Sequence, residues 1–312
     1  MRFRQLGNSG LIVSTVGLGT NNFGGRTDAA RSNEVISAAL DAGINLFDTS
    51  DSYSRGASEE IIGVALKKRR DEVVLATKFG SDMRGANGPD WGARASRRYM
   101  MRAVEASLRR LQTDWIDLYQ LHFPDKVTPL EETLEALDDL VRQGKVRYAG
   151  SSNLSAVQVN ESDWISKTRG LARFISAQNH YSLLERGIER DLVPVCLDKD
   201  VSIIPYFPLA SGLLTGKWKR GEAAPSNSRL AARETPSEAT FDKIERLQQI
   251  AADAGCELGQ LAIAALAAQP AVGSVIAGAT SPEQVRGNAE AADLELSSDI
   301  LQAVDEATNG DS

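Results

Sequence analysis

The sequence predicts an α/β chain folded as a (β/α)8 TIM barrel, with an N-terminal β-hairpin and long loops at the C-terminal face. Three observations carry that expectation. Eight short apolar runs rich in β-branched residues recur along the chain, separated by segments with apolar residues at helical spacing. Each connection is far longer than a hairpin, so each strand re-enters parallel to its predecessor. The stretches with no clear periodicity, 80–96 and 209–240, are rich in Gly, Pro and Arg and follow strands, where barrels carry their working loops. An open doubly wound sheet shares the alternation but usually holds fewer strands. The 312 residues are accordingly expected to form one domain, 1–312.

The elements follow in order. Residues 3–5 and 11–13 flank Gly7-Asn8-Ser9-Gly10, a turn sequence that closes a hairpin. Strands are expected at 15–19, 44–48, 73–77, 116–121, 146–150, 172–177, 201–205 and 274–277, each a short apolar run. Helices are expected at 32–42, 58–68, 97–111, 129–143, 156–166, 188–199 and 241–269, where the apolar period is 3.6. Asn33 stands ahead of an apolar stripe as a cap, and Gly43 and Gly144 sit just past helix ends. Ser281-Pro282-Glu283 opens a further helix with proline in its first position.

Composition limits the function classes. The chain is 42% hydrophobic and 25% charged, which supports a large core and is unlike a disordered chain. Thirty-five Lys and Arg stand against 42 Asp and Glu, a net charge of −7. The most basic stretch, Lys67-Lys68-Arg69-Arg70, ends an expected helix, where cations suit the helix dipole. This balance argues against nucleic acid as a partner. Cys196 and Cys256 are too few for a disulfide framework or a thiolate metal site and fit a reducing compartment. No apolar run approaches the roughly 20 residues that cross a bilayer, and no leader pattern opens the chain. A cytoplasmic protein with no membrane partner and no metal is expected, and these residues leave its oligomeric state open.

A barrel of this kind works at the C-terminal ends of its strands. There the sequence sets Asp48 with Tyr53 close behind, then Lys78, His122, Ser151-Ser152-Asn153, Gln178-Asn179 and Tyr206. An acid, a phenol, an amine and an imidazole therefore converge from three adjacent strands. Each alone has a plain structural role open to it: Asp48 as a turn cap, Tyr53 as packing, Lys78 as a surface charge, His122 as a satisfied strand-end residue. Together they make a proton-transfer site. A phenol gives up a proton only if its pKa falls from about 10 toward working pH, and two units amount to roughly 2.7 kcal/mol. A cation about 4 Å away, at an effective dielectric near 20, supplies about 4 kcal/mol. Lys78 beside Tyr53 therefore suffices, with Asp48 keeping Lys78 charged and aimed.

Nine segments in order resemble those of the aldo-keto reductase family over nearly the whole chain: GLGTNNFGG (17–25), GINLFDTSDSY (43–53), EEIIGVAL (59–66), LATKFG (75–80), SLRRLQTDWIDLYQLHFPD (107–125), GKVRYAGSSNL (144–154), AQNHYSLLER (177–186), PYFPLASGLLTGK (205–217) and IAGATSPEQVRGNAEA (276–291). The resemblance implies a barrel that binds an extended nicotinamide cofactor without a Rossmann domain. In keeping with this, Gly17-Leu18-Gly19 is followed by Gly24, and the dinucleotide fingerprint fails on spacing. It implies Asp48, Tyr53, Lys78 and His122 as a catalytic tetrad in an NADP-dependent enzyme reducing a small-molecule aldehyde or ketone, a reaction that needs a hydride at carbon and a proton at oxygen, with Tyr53 as the general acid and neutral His122 donating to the carbonyl oxygen. Implied cofactor contacts are Asp48, then Ser152, Asn153 and Gln178 at the carboxamide, Tyr206 stacked on the nicotinamide, and Gly19 and Thr20 at the ribose side. Leu209, Ser211 and Lys217 fall at the pyrophosphate, and Gly278, Thr280, Gln284 and Asn288 at the adenosine end, where a helix opening suits anions.

Phe23, Trp91, Phe123 and Phe207 are expected to line the substrate pocket, with Trp218 as a further aromatic and Arg55 and Asn22 as polar candidates. The resemblance leads one to expect a Lys or Arg beside 278–280, and this chain has none there. NADPH is therefore expected over NADH by only about 1 to 3 kcal/mol, with NADH use possible. Two other functions stay open: a regulatory nicotinamide-binding subunit on the same scaffold, as in potassium-channel β subunits that resemble this family, and an alcohol or sugar dehydrogenase, because the chemistry is reversible.

Overall fold

The computed structural model describes residues 1–225, 229–232 and 234–309; positions 226–228 and 233 of the 209–240 loop, and 310–312 of the expected domain, lie outside the described residues. An antiparallel hairpin of β1 (Phe3–Gln5) and β2 (Ile12–Ser14) opens the chain. There follow β3 (Val16–Gly19), α1 (Ala29–Asp41), β4 (Leu46–Asp48), α2 (Ala57–Leu66), β5 (Val74–Phe79), α3 (Arg97–Leu111), β6 (Ile116–Leu121) and α4 (Leu130–Arg142). The second half holds β7 (Val146–Ser152), α5 (Ala156–Arg169), β8 (Phe174–His180), α6 (Leu192–Asp198), β9 (Ser202–Tyr206), α7 (Glu238–Asp253), α8 (Leu258–Ala267), β10 (Val275–Gly278), α9 (Pro282–Glu290) and α10 (Ser298–Asn309). The eight parallel strands hydrogen-bond in the order β10-β3-β4-β5-β6-β7-β8-β9. The ring closes just before β10, where Ile203 N donates to Ala271 O at 2.7 Å and Gly273 N donates to Ile203 O at 2.9 Å. The chain is a (β/α)8 barrel.

Side-chain alternation along the strands decides where the site forms. Leu46, Ala76, Leu118, Ile204 and Ile276 share one buried cluster with Leu6, Leu11 and Val13 of the hairpin, which closes the barrel from its N-terminal end. Their neighbours Phe47, Leu75, Tyr119, Ile203 and Val275 pack outward with the helices. Two residues further along the inward side stand Asp48, Lys78, Gln120, Tyr206 and Gly278, so a polar layer lies directly above the apolar one. The hairpin seats only because residue 7 is glycine: φ is +56°, and a Cβ would lie 2.2 Å from Ile175 O.

Several boundaries differ from the sequence reading, and five of them for identifiable reasons. β7, β8 and β9 run on to Ser152, His180 and Tyr206, past the apolar runs, because side chains of the site continue the inward face there. α1 starts earlier than expected, with Asp28 accepting from Arg31 N as its cap and Asn33 inside the helix. The single helix expected over 241–269 is two helices bent by 87°. Gly255, at φ +69°, ends α7, and Glu257 with Gln260 forms the capping box that starts α8. Among the described residues no single helix is long and apolar enough to cross a membrane.

Candidate active site

Three neighbouring strand ends bring the acid, phenol, amine and imidazole together. Lys78 is completely buried, and its ammonium has three protons for three acceptors: Asp48 Oδ2 at 2.7 Å, Thr49 O at 2.8 Å and Tyr53 Oη at 3.2 Å. An ammonium cannot accept, so the Tyr53 oxygen is the acceptor and its own proton is directed elsewhere. Asp48 is aimed through Oδ1, which accepts from Gln178 Nε2 at 2.7 Å and Gln120 Nε2 at 3.2 Å. Burial pulls the Lys78 pKa down, but Asp48 and then Tyr53 outweigh it and hold the ammonium above the ordinary lysine value.

His122 follows β6, its ring stacked on Phe123 at 4.7 Å between centroids and edge-on to Tyr53 at 6.0 Å. Nδ1 lies 2.9 Å from Ser81 Oγ and 3.1 Å from Ser50 Oγ. Nε2 is thereby left as the nitrogen without a hydrogen bond among the described residues. Burial, aided by the Lys78 ammonium, pushes the His122 pKa down to about 3. The ring is neutral at working pH and offers an N–H without charge.

Behind this layer lies a buried acid that does not touch the cavity. Asp51 is fully buried and accepts from Asn87 Nδ2 at 3.1 Å and Ser50 Oγ at 3.3 Å. Burial, followed by the charge of Glu59, raises its pKa to about 8, against the opposing pull of Arg110 and the Ser50 and Ser52 hydrogen bonds. A raised folded-state pKa means that the folded chain holds the proton longer. The stability this gives is complete below the ordinary carboxylate pKa and is lost as pH rises toward about 8. Asp51→Asn is expected to remove that slope, at most about 1.4 kcal/mol per pH unit, from urea unfolding measured between pH 5 and 8. Equal slopes in both proteins would show an ordinary carboxylate.

Every residue expected to contact the cofactor lines one cavity of about 580 Å³, together with Tyr53 and His122. Gly19 and Gly278 are register partners at the top of β3 and β10 and form a stretch of wall without side chains. Phe123 and Phe207 line the cavity, and so does Asn22. Phe207 is held at φ +54°, rare for a bulky residue, with Tyr206 and His180 packed edge-on against its ring.

Phe23 and Trp91 do not line the cavity. Phe23 is wholly buried in the main core, so it anchors its loop. Trp91 is 69% exposed with Arg98 over its ring at 4.6 Å, a surface contact on the 80–96 loop. Trp218 is also core, its Nε1 donating to Glu222 O at 3.0 Å, and Arg55 stands outside the wall. Lys78 sits behind the wall, where it reaches Tyr53 through the protein interior. The sequence reading missed Gln120, Ser50 and Ser81, along with Asn21 and Arg26 in the cavity wall. Gln120 was legible by alternation, two residues beyond inward Leu118; the others carry no periodic signal.

A model of the Aldo/keto reductase family matches residues 15–309. The chain is 36% identical over 307 residues to a protein of Arabidopsis thaliana named probable voltage-gated potassium channel subunit beta, covering 94% of this chain and 92% of that one. It is 34% identical over 333 residues to versiconal hemiacetal acetate reductase of Aspergillus parasiticus, covering 98% and 96%. It is 35% identical over 318 residues to the uncharacterized oxidoreductase YrpG of Bacillus subtilis, covering 99% and 97%. A match that begins at the first barrel strand and ends in α10 leaves no part of the barrel outside it: the chain belongs to the aldo/keto reductase family.

Proposed function

We propose that the protein is an NADPH-dependent reductase of small aldehydes or ketones with Tyr53 as its general acid. One observation carries the reading: the buried Lys78 ammonium donates its third proton to the Tyr53 oxygen, 3.2 Å away. A cation fixed there by Asp48 stabilises the phenolate, so Tyr53 gives up its proton more readily than a free phenol. His122 donates from Nε2 to the carbonyl oxygen, which orients the substrate and shares the charge that develops on it. The same groups run in reverse for alcohol oxidation, with Tyr53 as base.

The cavity suits a nicotinamide dinucleotide in shape and in donor set. The Gly19–Gly278 pair leaves a cradle that two Cβ atoms would fill. Gln178 spends amide protons on Asp48 and Gln120 and keeps Oε1 as an acceptor, while its register partner Ser152 accepts from Asn153 and keeps its hydroxyl proton. One acceptor beside one donor is what a carboxamide takes. Tyr206 is tied through its hydroxyl to Asn153 Oδ1 at 2.8 Å and backed by the His180 ring, which gives a fixed aromatic face for stacking. When bound, the cofactor supplies the hydride. Screening aldehydes, ketones and sugars by the change in nicotinamide absorbance tests the reading. Similarity to the channel subunit supports a second one, a regulatory nicotinamide-binding protein, and NADP+ binding without turnover of any carbonyl would favour it.

Cofactor choice is a separate expectation. Ser281 caps α9 with Pro282 in its first position, and Thr280 and Gln284 stand at this opening in the cavity wall. Arg286 turns away to Glu283, and Arg26 is a cation that lines the same cavity. We expect kcat/KM to favour NADPH over NADH by about 1 to 3 kcal/mol, and Arg26→Ala to narrow the gap. Equal efficiencies at one saturating carbonyl would remove the 2′-phosphate from this reading.

A further inference from the structure

The tautomer of His122 is decided by hydrogen-bond accounting among three hydroxyls. A neutral imidazole carries one N–H, and only the Nε2–H form presents a donor to the cavity. Among the described residues Ser81 Oγ has Nδ1 of His122 as its one hydrogen-bond partner, at 2.9 Å. Ser50 Oγ has four: it accepts from Ser52 N at 3.2 Å, and it stands 2.9 Å from Ser52 Oγ, 3.3 Å from Asp51 Oδ1 and 3.1 Å from Nδ1.

If Nδ1 carried the proton, Ser81 could only accept from it, and the Ser81 hydroxyl proton would have no acceptor among the described residues. If Nδ1 is bare it accepts the Ser81 proton, and the Ser50 proton has Nδ1, Asp51 Oδ1 and Ser52 Oγ as acceptors in reach, so neither serine proton is stranded. The backbone and the ring plane of His122 are both held. His122 N donates to Phe79 O at 2.7 Å, Asn153 Nδ2 donates to His122 O at 3.0 Å, and Phe123 stacks on the ring. Nδ1 contacts no carboxylate, the partner that would draw a proton to it. The acid behind Ser50, Asp51, is held uncharged at neutral pH by burial and by Glu59, with Arg110 opposing.

We propose that Ser81 donates to Nδ1 of His122, with Ser50 closing the second side, and that this fixes the Nε2–H tautomer. Both serines are thus positioning residues that act on the carbonyl through His122. The catalytic consequence rests on the carbonyl-reductase reading; the tautomer assignment does not.

The chain has two histidines, His122 and His180, so 15N-histidine labelling of the full-length protein resolves both rings, with His180→Gln to assign them. We expect a pyridine-type Nδ1 and a pyrrole-type Nε2 on His122. Ser81→Ala should mix or invert the tautomers and lower kcat about tenfold at unchanged NADP+ affinity. Ser81→Thr, which keeps the hydroxyl, should restore both. An Nδ1–H tautomer in the unaltered chain, or a Ser81→Ala spectrum identical to it, overturns the proposal. An Nε2–H ring in a chain that turns over no carbonyl upholds the serine assignment and overturns the reductase reading instead.

Discussion

Tyr53→Phe is expected to lower kcat for carbonyl reduction by about 10²- to 10⁴-fold, the range of a lost general acid, and to leave NADP+ affinity within about twofold. The substitution removes one oxygen and little else. The ring keeps its edge-on contact with His122, and Lys78 keeps two of its three acceptors, Asp48 Oδ2 and Thr49 O. No buried charge is stranded, so thermal unfolding should stay close to that of the unaltered chain. Binding is read by fluorescence titration and turnover by absorbance, which separates loss of the proton from loss of the site. Retention of more than about a tenth of kcat, a deficit under 1.4 kcal/mol, would take Tyr53 out of the proton-transfer step.

The meeting of Asp48, Lys78 and His122 was legible because each stands at the end of one of three successive strands, and a barrel gathers those ends on one face. Once Leu46, Ala76 and Leu118 are inward, Asp48, Lys78 and Gln120 must be inward too, and their polarity at a strand end marks the site. Loops carry no such period. Phe23 and Phe207 look alike in sequence, each an aromatic shortly after a strand, yet one is buried under its turn and the other is held at positive φ in the cavity wall. Gly255 sits within a long apolar-periodic stretch, where a glycine is tolerated as often as it stops a helix, and the capping box after it is what decides. Ser50 and Ser81 meet His122 across 72 and 41 residues of chain, a pairing that depends on where two loops end rather than on any local pattern.

Lys78→Met should damage both rate and stability, for different reasons. With Lys78 fully buried, the substitution leaves Asp48 as an unpaired buried carboxylate, a change expected to cost about 3 to 5 kcal/mol in unfolding experiments. Gln178 and Gln120 still serve Oδ1, so the loss is confined to what Oδ2 had from the ammonium. The rate should fall at least about 10²-fold because the Tyr53 phenolate loses its cation. Adding Asp48→Asn separates the two effects. The double variant carries no buried charge and should recover most of the stability, while its rate stays low. Recovery of turnover with stability would make the Asp48–Lys78 pair architectural and leave Tyr53 without its activator. Whatever rate survives in Lys78→Met should have its alkaline limb moved to higher pH, since a phenol without a neighbouring cation holds its proton longer. A limb left where it was would mean that the 3.2 Å contact between Nζ and Oη does not govern proton transfer.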